Sequence, residues 1–149
     1  MKLVPCLLFD GRADEALAYY SSVLPGAKTT DVMRGQGAAL VAATLEFDGG
    51  RIMLLNGPAA EPSMSVSMFL ECETQAQVDR LWDELSDGGK PIRCGWITDR
   101  FGVTWQIVPA GMLKYLGDPD PARARRAMQS MMGMTKLDIN EIARAADGA

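Results

Sequence analysis

Apolar positions along this chain alternate between two periods. From Lys2 to Phe9 they form a nearly continuous run of strand length, ended by Asp10-Gly11. From Arg12 to Leu24 they recur every three or four residues, at Ala13, Ala16, Leu17, Tyr20 and Leu24. The first pattern predicts a strand and the second an amphipathic helix, with Asp14 and Glu15 well placed near its positive end and Pro25-Gly26 closing it. Residues 28–33 predict a short strand, 35–37 a loop, and 38–47 a longer strand. Asp48-Gly49 is a strong two-residue hairpin signal that sets Glu46 opposite Arg51 and sends the chain back through 50–56. Gly57-Pro58 ends that strand, and the stretch to Ser63 has the Ala/Pro/Glu composition of a linker.

The order then repeats. Residues 64–71 predict a strand; Thr74 with Gln77 forms a capping box for a helix through Val78, Leu81, Trp82 and Leu85; Asp87-Gly88-Gly89 stops it. Residues 90–93 read as an edge strand. Two runs rich in β-branched and aromatic residues then flank Asp99-Arg100-Phe101-Gly102, predicting a hairpin with a four-residue loop. Pairing Thr98 with Val103 would put Trp96, Trp105, Cys94 and Ile107 on one side, under the outer helices, and Gly95, Ile97, Thr104 and Gln106 on the other. Beyond Pro109 the pattern is helical: 112–116, a helix after Asp118-Pro119-Asp120-Pro121, and a last one capped by Asp138 with Glu141. Ala124, Ala127, Met128, Met131 and Met132 form a stripe that either packs on its own domain or pairs with a second subunit. Strand, helix and three strands, twice over, read from pattern alone as a duplicated α+β domain.

Cys94-Gly95-Trp96, Asp99-x-x-Gly102 and Trp105-Gln106-Ile107-Val108-Pro109, in that order, resemble the PhnB-like family, labelled 3-demethylubiquinone-9 3-methyltransferase-like. That family lies within the glyoxalase, bleomycin resistance and dioxygenase superfamily, the vicinal oxygen chelate fold. Pro5 to Gly11, Leu55-Asn56-Gly57, Cys72 to Gln75 and Asp118 to Pro121 also look like the family's, so the likeness spans nearly the whole chain. The resemblance implies an α+β fold of two βαβββ modules forming a curved, mostly antiparallel sheet with outer helices, plus a C-terminal helical tail. One domain over 1–149 is expected, with module one at 1–57, a linker at 58–63, module two at 64–109 and the tail at 110–149. The resemblance also implies a homodimer.

Composition narrows the partners. With 149 residues and 48% apolar content the chain can build a core without staples. A net charge of −4 offers no basic footprint for nucleic acid and is unfavourable at an anionic membrane surface. No apolar run reaches spanning length and no leader-like pattern opens the chain, so a cytoplasmic protein is expected. Cys6, Cys72 and Cys94 are scattered and odd in number, which favours reduced thiols.

Metal-dependent members of the superfamily take His, Gln or Glu ligands from four inward positions. Carried over strand by strand, these fall near Pro5, near Leu54 or Asn56, near Ser65, and at Gln106. The chain contains no histidine. Uncharged amides are weak ligands for zinc or ferrous iron, so neither a metal nor another cofactor is expected. Gln106, Asn56, Ser65 and Thr104 are instead the expected polar contacts of a pocket for a small organic ligand. No catalytic residue is identified. Asp10 and Asp99 sit at turns, where backbone hydrogen bonding explains them; Arg123, Arg125 and Arg126 read as a solvated face. A methyl-donor site would need a Gly-rich turn after the first strand, which Phe9-Asp10-Gly11-Arg12-Ala13 is not. Three functions stay open: a metal-free binding module, an enzyme (a superfamily lyase or isomerase, or the labelled methyltransferase), and a scaffold docking through the tail.

Overall fold

The computed structural model describes residues 1, 3–58, 61 and 63–149, which divide into two compact units, 1–61 and 62–149. In the first, β1 (Cys6–Phe9), α1 (Ala13–Val23), β2 (Lys28–Arg34), β3 (Leu40–Phe47) and β4 (Gly50–Asn56) form a sheet of order β1-β4-β3-β2 with only β1–β4 parallel. Alternation along the strands gives the sheet two unlike faces. Phe9, Ala43, Leu45, Ile52 and Leu54 are buried with Ala13, Ala16, Leu17, Tyr20 and Val23 of α1, each large side chain contributing about 1.5–3 kcal/mol. The opposite face runs in cross-strand rows: Leu8-Leu55-Ala42-Met33, then Cys6-Met53-Thr44-Thr30, then Arg51-Glu46-Lys28. Glu46 and Arg51 pair as the Asp48-Gly49 turn predicts, 3.8 Å apart.

The second unit repeats the plan. β5 (Met68–Cys72), α2 (Gln75–Ser86), β6 (Lys90–Pro91), β7 (Trp96–Thr98) and β8 (Thr104–Pro109) take the order β5-β8-β7-β6, again with one parallel pair. The Thr74–Gln77 capping box forms, and Val78, Leu81, Trp82 and Leu85 pack on the face that buries Ile97, Trp105 and Ile107. Gly89 is obligatory: a Cβ there would lie 2.8 Å from the Thr98 carbonyl oxygen and closer still to that of Leu85.

The hairpin register differs by one residue from the expected one. Thr98 pairs with Thr104, Ile97 with Trp105 and Trp96 with Gln106. The cause is a five-residue loop, 99–103, held by the Asp99 carboxylate, which accepts from the amides of Phe101 (2.9 Å) and Val103 (3.0 Å). A one-residue shift exchanges faces. Trp105 therefore lies under α2, whereas Trp96 joins Gln106 on the open face. Cys94 is not in a strand; it takes a left-handed conformation (φ 58°) ahead of β7.

The tail comprises α3 (Met112–Leu116), α4 (Pro121–Gly133) and α5 (Ile139–Asp147). Its inner stripe packs on its own unit: Met112, Ala127, Met134, Leu137, Ile142 and Ala146 cluster with Val108 of β8. Residues 134–139 are pinned by Gln75, which donates to the Leu137 carbonyl (2.9 Å) and accepts from Ile139 N (3.0 Å), and by the Lys136–Asp79 pair at 2.7 Å. Met128 and Met132 stay exposed. No helix among the described residues is long and apolar enough to cross a membrane.

Candidate functional site

On the open face of the second sheet, away from α2, Phe69, Gln106 and Trp96 stand side by side on three adjacent strands. Gln106 Nε2 donates to Ser67 Oγ at 2.8 Å, and Gln106 Oε1 has no partner among the described residues. The next row holds Thr104 and Thr98. Thr104 is 3% exposed because the 63–67 turn lies against it; its hydroxyl donates to the Ser63 carbonyl at 3.4 Å. Ser65 lies in that turn, its amide bonded to Ser63 Oγ and its side chain exposed. In the other direction Val108 shares the face but is sealed by the tail cluster. Turn and tail thus bound a patch whose floor is one amide and whose sides are aromatic.

Gln106, Thr104 and Ser65 are brought together. Asn56, expected to line the hollow, faces the other way. It lies on the helix side of β4, where its Oδ1 accepts from Ala13 N at 3.0 Å and its Nδ2 donates to the Leu40 carbonyl at 2.6 Å. The physical reason is the start of α1, whose N-cap is Arg12, a residue with no side-chain oxygen to satisfy the first amides. Asn56 supplies that acceptor from 43 residues away. Counting back from the ends of β4 and β8 in equivalent pairings, the position of the first unit matching Gln106 is Met53, which faces away from α1. Phe69, Ser67 and Trp96 were missed as site residues; the parallel pairing of β5 with β8 is what aligns the first with Gln106.

The four superfamily ligand positions do not fit a divalent metal in this chain. Pro5 has no side-chain donor, Leu54 is buried beneath α1, Asn56 is engaged by backbone, and Ser65 and Gln106 offer neutral oxygens. No group of three or more His, Cys, Asp or Glu is assembled among the described residues. Two groups that could serve chemistry elsewhere are held away from this patch. Cys72 lies on the α2 side, where burial pushes its thiol up to about 11 against a lowering by Arg80. The Asp99 carboxylate is committed to its own loop and to the Trp105 indole at 2.8 Å. The patch presents one amide acceptor between two aromatic side chains.

Two βαβββ modules of identical strand order, each with its helix on one face, define the vicinal oxygen chelate fold of the glyoxalase, bleomycin resistance and dioxygenase proteins. Within it, the chain belongs to the 3-demethylubiquinone-9 3-methyltransferase family, the PhnB-like proteins, whose model matches residues 1–108. Among solved structures it is similar to the PhnB protein of Bacillus cereus, with 24% identity over 74% of this chain and 100% of that one and a TM-score of 0.66. It is also similar to protein PA1353 of Pseudomonas aeruginosa, with 23% identity, 73% and 97% coverage and a TM-score of 0.63. The fosfomycin resistance protein FosX of Listeria monocytogenes shares the fold at 10% identity, 78% and 96% coverage and a TM-score of 0.61. No curated protein matches the sequence.

Proposed function

We propose that this protein binds a small organic molecule without a metal, acting as a homodimer in the cytoplasm, with the open face of the second sheet as the recognition surface. The observation that carries this reading is the Gln106 amide, anchored by Ser67 at 2.8 Å between Phe69 and Trp96. An apolar wall with one convergent polar group is the usual make-up of a small-molecule site. Ser65, exposed in the turn beside this patch, is the further polar contact, while Thr104, expected as another, lies covered by that turn and only bounds the patch. Asn56 serves the reading indirectly, by fixing the start of α1. A methyl-transfer reading is favoured by the family's description. Against it, the first amide of α1, where a donor's charged groups would be received, is already bonded to Asn56.

Thermal unfolding in the presence of two libraries tests the proposal: divalent ions, and small aromatic and alicyclic compounds. A ligand at 100 times its Kd adds about 2.7 kcal/mol of stability, which raises Tm by several degrees. Shifts with organic compounds that are lost in Gln106→Leu support binding at this face. Shifts with divalent ions alone support the enzyme reading instead.

A further inference from the structure

Resting on that binding reading, we infer that the molecule recognised here is a neutral, planar aromatic carrying an O–H or N–H group, which donates to Gln106 Oε1. As the amide stands in the structure, its nitrogen is turned to Ser67. With Nε2 donating to Ser67 Oγ at 2.8 Å, the amide presents its carbonyl oxygen, a pure acceptor without a partner among the described residues. A ligand lacking a donor would strip water from that oxygen and return nothing.

The flanking residues fix the shape. Phe69, at 51% exposure, and Trp96 occupy the strands on either side of Gln106 at the same level of the sheet. Strands about 4.8 Å apart place the two aromatic residues about 10 Å from one another across the amide, so an aromatic side chain stands on each side of the single acceptor. The charges of this face lie at its margins. Glu71 is paired with the tail-covered Val108, and Lys90 is on the edge strand opposite Thr98. No cation adjoins Gln106 in its row to receive an anion, and a carboxylate oxygen would meet the Oε1 dipole with the wrong sign.

The test uses matched pairs that differ only in the donor: phenol against anisole, and 2-naphthol against 2-methoxynaphthalene, titrated calorimetrically into the full chain. The hydroxyl compounds are expected to bind about tenfold more tightly than their ethers. That preference disappears in Gln106→Leu. Ser67→Ala, a substitution outside the core, frees the amide to turn and narrows the preference even if Gln106→Leu fails to fold. Ethers binding as tightly as the hydroxyl compounds, or an unchanged preference in both variants, overturn the donor inference while the site still binds. Absence of binding by either pair overturns the binding reading, and this inference with it.

Discussion

The indole of Trp105 donates to Asp99 Oδ2 at 2.8 Å, while the other carboxylate oxygen receives the amides of Phe101 and Val103. Asp99 is 4% and Trp105 0% exposed, so three donors depend on one buried carboxylate. Asp99→Ala leaves them unsatisfied and is expected to cost about 2–4 kcal/mol, whereas Trp105→Phe removes one donor and keeps the loop bonds. Urea unfolding checks this: the midpoint falls in both variants with little change in slope. A catalytic rather than structural Asp99 would leave the midpoint unmoved.

Asn56→Ala is expected to destabilise the protein by about 1–3 kcal/mol, because Ala13 N and the Leu40 carbonyl both lose their partner. Binding of aromatic compounds by the folded variant should be unchanged, since the side chain lies on the α1 side of its sheet. Calorimetric titration beside the unfolding curve separates the two effects.

The thiols should differ sharply in reactivity. Cys6 is exposed, whereas Cys72 is buried with its thiol pushed up to about 11. Since the thiolate is the reactive form, an aromatic disulfide reagent at pH 8 should modify Cys6 first and reach Cys72 only on unfolding. Peptide mapping after timed quenching identifies the order.

Docking of the tail should depend on pH. The hydrogen bond from Lys136, and then that from Gln75, hold the Asp79 carboxyl below its ordinary 3.8, while Asp79 holds Lys136 above its ordinary 10.5. A lowered carboxyl pKa stabilises the fold above its unfolded value, and that contribution is lost as pH falls through the folded one. A raised ammonium pKa stabilises below its unfolded value and is lost as pH rises through the folded one. The pair therefore contributes fully between the ordinary values of 3.8 and 10.5. Both side chains are over a third exposed, which limits the contribution to under about 1 kcal/mol. The stability difference between the wild type and Asp79→Asn should be present at pH 7 and shrink as pH falls below 3.8.

The tail packs inward through Ala127 and Met134, yet Met128 and Met132, four residues apart on α4, are 39% and 56% exposed. If this stripe forms the subunit contact, replacing both by Glu converts a dimer to a folded monomer in light scattering. A dimer that persists places the contact elsewhere.

Most of the element order was legible because each element announces itself locally: α2 by its capping box, the first hairpin by Asp48-Gly49, and the tail helices by Asp120 and Asp138 at their starts. What was not legible depends on long-range partners. The face occupied by Trp96 turned on whether Asp99 closes a loop of four residues or five, a matter decided by side-chain hydrogen bonds. Asn56 looked like a pocket residue because an amide at a strand end is equally suited to either face. The available clue was Arg12: a helix whose N-cap cannot accept a hydrogen bond has to find an acceptor elsewhere. Phe69 was invisible as a site residue until the parallel β5–β8 register aligned it with Gln106.

Whether the open face around Gln106 is where ligand is held can be read directly from the side-chain amide and indole signals in a nitrogen-15 NMR titration with 2-naphthol. Saturable shifts of the Gln106 Nε2 and Trp96 Nε1 resonances are predicted, with the buried Trp105 Nε1 resonance unmoved. Shifts confined to Trp82 and Trp105, or to the tail, would contradict the assignment of this face as the binding surface.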